Sequence, residues 1–363
     1  MTTRPRKVIV ELLIAGVLFA AMVAGAIALL GIDWSGEGGS GLSDSFKYDL
    51  QKYQNIDPSL FRYHSVAALP IDLSEPRAIA VGIDDQILIA GDKAVDIFSP
   101  LPWEAGQRSV AADPVPVAFE ARKKIVFDVE PYCLTVGNAE HAFPGRIYVG
   151  MRDHVEVFAP DGMRLAVWPA MGMLTSLTTS EKEVFLADAK ARIVRQCDVE
   201  GKPIAQIDGR IAGRSSPGFV VPSPYFDVAM SPDGLLRVVN PGAHRIDAYT
   251  LDGQLELSWG RASEQIDGFC GCCNPSHIAV LPDGRIVTSE KGIPRVKVYS
   301  ATGEFEGVVA GPETLSPNPS APVETRDELR LHPADVATDS HGRIFVLDAA
   351  ARCVHVFVEN QHE

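Results

Sequence analysis

The sequence contains no Walker A loop and no G-x-S-x-G elbow, so neither phosphate cradling nor serine-hydrolase chemistry has support. It also lacks any excess of base. Only 33 Lys and Arg stand against 47 Asp and Glu, a net charge of −14 that disfavours nucleic acid and anionic membrane surfaces as partners. The acids are scattered rather than blocked, as on a soluble, self-repelling surface. Cysteine is sparse, with 6 in 363 residues, and no second C-x-x-C completes a paired zinc signature.

What is present begins at the N-terminus. Arg4, Arg6 and Lys7 precede an apolar run from Val8 to Ile32, broken only by Glu11. A helix of about 20 apolar residues spans a bilayer, whereas a cleavable signal has a shorter core of roughly 7–15. The run predicts an uncleaved anchor, although Ala24-Gly25-Ala26 has the small residues of a cleavage site. Basic residues before it, with Asp33 and Glu37 after it, put the N-terminus in the cytoplasm and the rest outside, in a bacterial periplasm. Residues 1–33 are expected to form a cytoplasmic tip and transmembrane anchor at the inner membrane. Residues 34–60, with the glycines at 36–41, would be a flexible tether, and 61–363 the folded domain.

Hydrophobic content of 46% suffices for a core, and 26 Pro with 31 Gly imply frequent turns. Beyond residue 61 one pattern recurs: an apolar strand, a polar turn, a second apolar strand, a small hinge, then a third strand that mostly ends on an aromatic. Ile79, Leu134, Leu177, Val228, Ile278 and Val336 mark six copies, spaced by 55, 43, 51, 50 and 58 residues. Several strands per repeat at such a period predict an all-β, six-bladed propeller. The last copy stops after its third strand near Val358. The alternating segment 61–69 is expected to supply the missing outer strand and remove an exposed edge. Two insertions, 101–128 and the Pro-rich 311–330, read as surface loops.

Phrases such as Leu281-Pro282-Asp283-Gly284-Arg285-Ile286-Val287 and His341-Gly342-Arg343-Ile344-Phe345-Val346 resemble NHL repeats, over residues 61–358. The whole chain resembles the membrane-anchored NHL-repeat proteins of bacteria, some of which carry a Cys-Gly-Cys-Cys-Asn-Pro stretch like residues 270–275 here. The resemblance implies the propeller fold and leaves function open, because propellers serve as binding platforms and as enzymes alike.

In a propeller the first strand of each blade lines the central channel, with its leading residue at the mouth. Aligning the copies on Pro275-Ser276-His277-Ile278 puts Ala78, Cys133, Ser176, Asp227, His277 and Asp335 at that level. Cys133, Asp227, His277 and Asp335 are types that bind a metal or carry a proton. The blander alternative is that they hydrogen-bond loop backbone around a wet channel. Cys270, Cys272 and Cys273 would hang over the same mouth. With His277 they suit Zn, Cu(I) or an iron–sulfur centre. They would equally suit a dithiol–disulfide couple, strained if formed between neighbours, or a structural disulfide. Three thiols cannot all pair with one another, so one stays free, reaches Cys133 or binds something. Cys197 and Cys353 read as structural. So do Asp188, Asn240, Glu290 and Asp348 at the ends of second strands, where they are expected to receive turn amides. His141, His154, His244 and His332 read as surface or loop residues.

Two functions compete. One is a membrane-anchored, extracytoplasmic scaffold that presents the cysteine loop to a protein partner in a redox or metal-handling system. The other is a metal-dependent channel enzyme whose chemistry resembles that of propeller lactonases or the peptidyl-hydroxyglycine lyase. Only Asp227, His277 and Asp335 can be matched to such channel ligands, and the lyase pattern of several channel histidines is not met.

Overall fold

Each repeat folds as an antiparallel meander, because short β-branched runs are separated by turns that glycine permits. At Pro282-Asp283-Gly284 the Gly284 amide donates to the Leu281 carbonyl at 2.8 Å, and Gly284 has φ +90°, a conformation that strains any side chain. The computed structural model describes residues 55–101, 118–170, 172–210, 217–315 and 334–361. Their strands form six four-stranded sheets.

Strand β1 is Tyr63–Pro70. Blade one follows as β2 Pro76–Val81, β3 Ile87–Gly91, β4 Ala94–Pro100 and β5 Phe119–Val126. Blade two is β6 Cys133–Val136, β7 Ile147–Gly150, β8 His154–Phe158 and β9 Arg164–Pro169. Blade three is β10 Leu174–Thr179, β11 Glu183–Asp188, β12 Ile193–Asp198 and β13 Pro203–Ile207. Blade four is β14 Val228–Met230, β15 Leu236–Asn240, β16 Arg245–Tyr249 and β17 Leu255–Trp259. Blade five is β18 His277–Val280, β19 Ile286–Glu290, β20 Arg295–Tyr299 and β21 Phe305–Ala310. Blade six is β22 Asp335–Thr338, β23 Ile344–Asp348 and β24 Cys353–Glu359, completed by β1.

The ring closes as the sequence predicts. β1 runs antiparallel to β24 from Tyr63 opposite Glu359 to Pro70 opposite Cys353. The Asn360 amide donates to the Arg62 carbonyl at 2.7 Å, and Arg285 of blade five holds Glu359 through two bonds of 2.7 and 2.8 Å. The edge that an unpaired β24 would expose is thus covered.

The core lies between blades. Second strands are buried on both faces, as in β3, β15, β19 and β23, while the outer β13 is exposed along most of its length. Val287 and Val298 of blade five pack with Val336, Ile344 and Val346 of blade six. Truncating such a side chain, Ile344→Ala for example, costs about 2–5 kcal/mol. The polar ends of the second strands pin the segments leading into the first strands. Asp188 accepts the Met173 and Ala191 amides, Asn240 that of Val220, and Glu290 that of Cys270.

Two expectations need correction. The insertion 101–128 is not all loop: 119–126 is β5, the outer strand of blade one, paired to β4. His141 lies in a loop, as expected, but is buried there rather than on the surface, bonded to the Ser180 carbonyl at 2.6 Å and to the Tyr148 hydroxyl at 2.9 Å. Among the described residues no helix is long and apolar enough to cross a membrane; the run 8–32 lies outside them, as do most of the tether, His332 and most of 311–330.

Candidate functional site

The six leading residues do share one level. Ala78, Cys133, Ser176, His277 and Asp335 stand opposite Ala90, Gly150, Ala187, Ser289 and Leu347 on their second strands, and Asp227 takes the matching place one residue before β14. All six line one central cavity of about 300 Å³.

This level has a structural task. On the next blade's first strand, the backbone amide of the residue just after the leading one takes its acceptor from this level. Ser176 Oγ accepts the Val228 amide at 3.2 Å, Asp227 Oδ2 the Ile278 amide at 2.8 Å, and Asp335 Oδ2 the Ile79 amide at 2.9 Å. Each contact fastens one blade to the next. A serine suffices for it in blade three.

Blades four, five and six place more here than the task requires. His277 Nδ1 lies 3.5 Å from Asp227 Oδ2 and 3.3 Å from Asp335 Oδ1, and the three side chains are only 15, 9 and 13% exposed respectively. Their ligand atoms all fall within 4.8 Å of one another. Burial pushes Asp335 up to about 6; His277 pulls it down and the Asp227 charge pushes it up again. Burial opposes protonation of His277, but the Asp335 and Asp227 carboxylates outweigh it and hold the imidazole above its usual value. The cluster therefore keeps a proton readily. It also fits a cation, since donors about 2.1 Å from a tetrahedral ion lie about 3.4 Å apart. Two carboxylates and one imidazole form a hard-to-borderline donor set, suited to Zn or Mn rather than to Cu(I) or an iron–sulfur centre.

The thiols stand apart from this group, and among the described residues none joins it. Cys133 is buried, its Sγ against the Gly150 carbonyl at 3.9 Å; burial, with the charges of Asp227 and Asp335, pushes its pKa up. Cys270 is buried in the loop before β18, its amide on Glu290. Cys272 is exposed and Cys273 buried, with their sulfurs 3.1 Å apart. Gly271, at φ +88°, turns the loop, and its carbonyl meets His244 Nε2 at 2.6 Å. Asn274 Nδ2 clamps the loop to the carbonyls of Cys270 and Lys291.

Sequence reading missed the residues that join the two places. Tyr225 stands edge-on to His277 with ring centres 5.8 Å apart, and Lys291 Nζ lies 4.6 Å from the Tyr225 ring centre. Lys291 Nζ also donates to Ser223 Oγ at 2.8 Å, and Ser223 donates to Cys273 Sγ at 3.3 Å. Their only signal was position, Ser223 and Tyr225 just before Asp227 and Lys291 just after Glu290. Above the cluster opens a vestibule of about 190 Å³ walled by Tyr132, Tyr225, Arg77 and Arg152, with His277 and Asp335 at its floor.

No family model matches the chain, and no curated protein matches it. Among solved structures it is similar to a streptogramin B lyase, at 11% identity and TM-score 0.50, covering 82% of this chain and 98% of that one. It is similar at 12% identity and TM-score 0.50 to a catalytically inactive variant of virginiamycin B lyase from Staphylococcus aureus solved with quinupristin, covering 82% of this chain and 100% of that one. The WD40 propeller domain of Doa1 matches at 15% identity and TM-score 0.48, over 82% and 98% of the two chains. The two lyase likenesses support the six-bladed β-propeller; at such identities they speak for the fold alone.

Proposed function

We propose that the chain is an NHL-type propeller, held outside the cytoplasmic membrane by residues 8–32, whose channel mouth is a metal-dependent active site of lyase or lactonase type. One observation carries this reading: a serine performs the blade-to-blade task at Ser176, yet Asp227 and Asp335 bring two nearly dehydrated carboxylates to the same level around His277. Burying charge costs free energy that an acceptor for an amide does not require. Asp227, His277 and Asp335 would hold one divalent cation, which supplies Lewis-acid polarisation when bound. The vestibule residues would position a small substrate over it. Because proton and cation compete for the same atoms, binding would release protons and weaken at acid pH. Sharing a fold with virginiamycin B lyase lends this chemistry no weight by itself; the residues do.

Calorimetric titration of the metal-stripped chain with Zn²⁺ and Mn²⁺ tests it. Asp227→Ser and Asp335→Ser keep the blade contact and are expected to weaken binding at least about 100-fold, beyond the usual effect of an outer-shell change. Equal affinity in wild type and both variants would remove the site.

A second reading is favoured by the paired sulfurs of Cys272 and Cys273 on the same rim. In it the propeller is a membrane-held accessory that presents this loop to a partner in a redox system.

A further inference from the structure

We infer that Cys272 and Cys273 form a dithiol–disulfide exchange couple at the channel rim, in which exposed Cys272 attacks and buried Cys273 takes its proton and then resolves. The inference deepens the accessory reading and rests on no metal.

Geometry divides the labour. Cys272 is the exposed thiol of the loop, and its sulfur is 3.1 Å from that of Cys273, within reach of a shared proton. Cys273 is 2% exposed, so an incoming disulfide cannot reach it first. Behind Cys273 stands a donor chain, Lys291 Nζ to Ser223 Oγ at 2.8 Å and Ser223 Oγ to Cys273 Sγ at 3.3 Å. Burial alone would disfavour a Cys273 thiolate, but Lys291, Ser223 and Cys272 outweigh it and hold its pKa below the usual thiol value. The hydrogen bond to Cys273, with some burial, holds Cys272 above that value. The pair thus loses its first proton early, while the sulfur that meets solvent keeps the greater intrinsic nucleophilicity of a high-pKa thiol. Cys270 takes no part: it is buried, and Asn274 and Glu290 bind its backbone.

The exchange balances with a disulfide X–S–S–X as co-reactant. The Cys272 proton passes to Cys273, and the Cys272 thiolate attacks one sulfur of the co-reactant. The S–S bond of the co-reactant breaks as the new one forms, leaving one X–S group joined to Cys272 Sγ as a mixed disulfide and releasing the other as X–S⁻, which takes the proton from Cys273. The Cys273 thiolate then attacks Cys272 Sγ, forms the Cys272–Cys273 bond and expels the second X–S⁻. Two electrons pass from the dithiol to X–S–S–X. The product disulfide joins adjacent residues and is strained, so a dithiol reductant returns it readily.

The test uses the full chain in detergent, reduced and then mixed with oxidised glutathione, followed by intact-mass and peptide mass spectrometry. Wild type is expected to lose two hydrogens and hold no glutathione. Cys273→Ser is expected to stop at one glutathione on Cys272, formed about tenfold more slowly at pH 7 for want of the base, and Cys272→Ser to take up none on the same timescale. Lys291→Met should shift the pH profile of wild-type oxidation upward, and Lys291→Arg should restore it, a readout that a merely structural lysine would not move. Glutathione on Cys273, equal uptake by the two cysteine variants, or no oxidation of wild type would each overturn the assignment. Exchange in the purified chain, combined with a pair that stays fully reduced in cells under oxidising and reducing growth alike, would uphold the couple and sink the accessory role.

Discussion

The two halves of the channel mouth occupy equivalent places and differ in chemistry. Blades one to three offer Ala78, Cys133 and Ser176; blades four to six offer Asp227, His277 and Asp335. The backbone asks for little at this level. Ala78 supplies no acceptor at all, and Ser176 supplies a hydroxyl that bonds Val228 across the seam. Geometry that a methyl and a hydroxyl satisfy does not demand two buried carboxylates. The neutral half thus serves as an internal control for the charged half, and the excess chemistry on one side is what marks a site.

The largest effect expected from challenging this comparison comes from separating shape from charge at Asp227. Asp227→Leu removes the acceptor of the Ile278 amide and leaves a buried donor unpaired, at a cost of about 1–3 kcal/mol. Asp227→Ser copies blade three, keeps an acceptor at the seam and should remain within about 1 kcal/mol of wild type. Urea unfolding of the metal-free chain measures both. A serine variant as unstable as the leucine variant would mean that the carboxylate is itself structural, and the control would fail.

How much of this was legible beforehand follows from what periodicity can and cannot carry. The blade count, the closing strand and the level shared by six leading residues all follow from a repeat whose register is fixed by alternation, since a slip by one residue would turn each strand inside out. The meeting of Asp227, His277 and Asp335 was legible for the same reason. The thiols were harder. Cys270, Cys272 and Cys273 sit in a loop with no repeat partner, and Gly271 with the Asn274 clamp decides which sulfur faces solvent. Lys291 and Ser223 come from two different blades and nothing in their spacing announces that they meet at Cys273. The strand at 119–126 was hidden because a long insertion separates it from the repeat that it completes.

A smaller effect, and a sharper one, lies in pH. Asp335 and His277 both bind protons more tightly in the folded chain than their free counterparts do, Asp335 with its pKa raised to about 6. A raised folded-state pKa gives stability that is complete below the unfolded value and lost as pH rises through the folded one. For Asp335 that window runs from about 4 to about 6, and for His277 it begins above about 6.5. In the presence of a chelator the melting temperature should therefore decline from pH 5 to pH 8. Asp335→Ser should flatten the decline, because it removes one titrating acid and the charge that supports His277. Ser176→Ala, on the neutral half, should leave the slope as it is. A slope unchanged by Asp335→Ser would show that the cluster does not titrate as its geometry implies.

The smallest expected effect is the one that defines the boundary of the site. Cys133 is the neutral half's only residue with metal-binding chemistry, and it lies close enough to Asp227 and Asp335 to feel both charges. Its sulfur nevertheless rests against the carbonyl of Gly150, whose missing side chain leaves the room it occupies. A serine there would donate to the same carbonyl in slightly less volume, so Cys133→Ser should change stability by about 1 kcal/mol or less. Metal affinity should not change at all, because the three ligand atoms come from the other half of the ring. Were calorimetry to find the affinity lowered in Cys133→Ser, the thiol would have to swing toward Asp227 on binding, and the division of the mouth into a neutral and a charged half would give way to a four-ligand site spanning both.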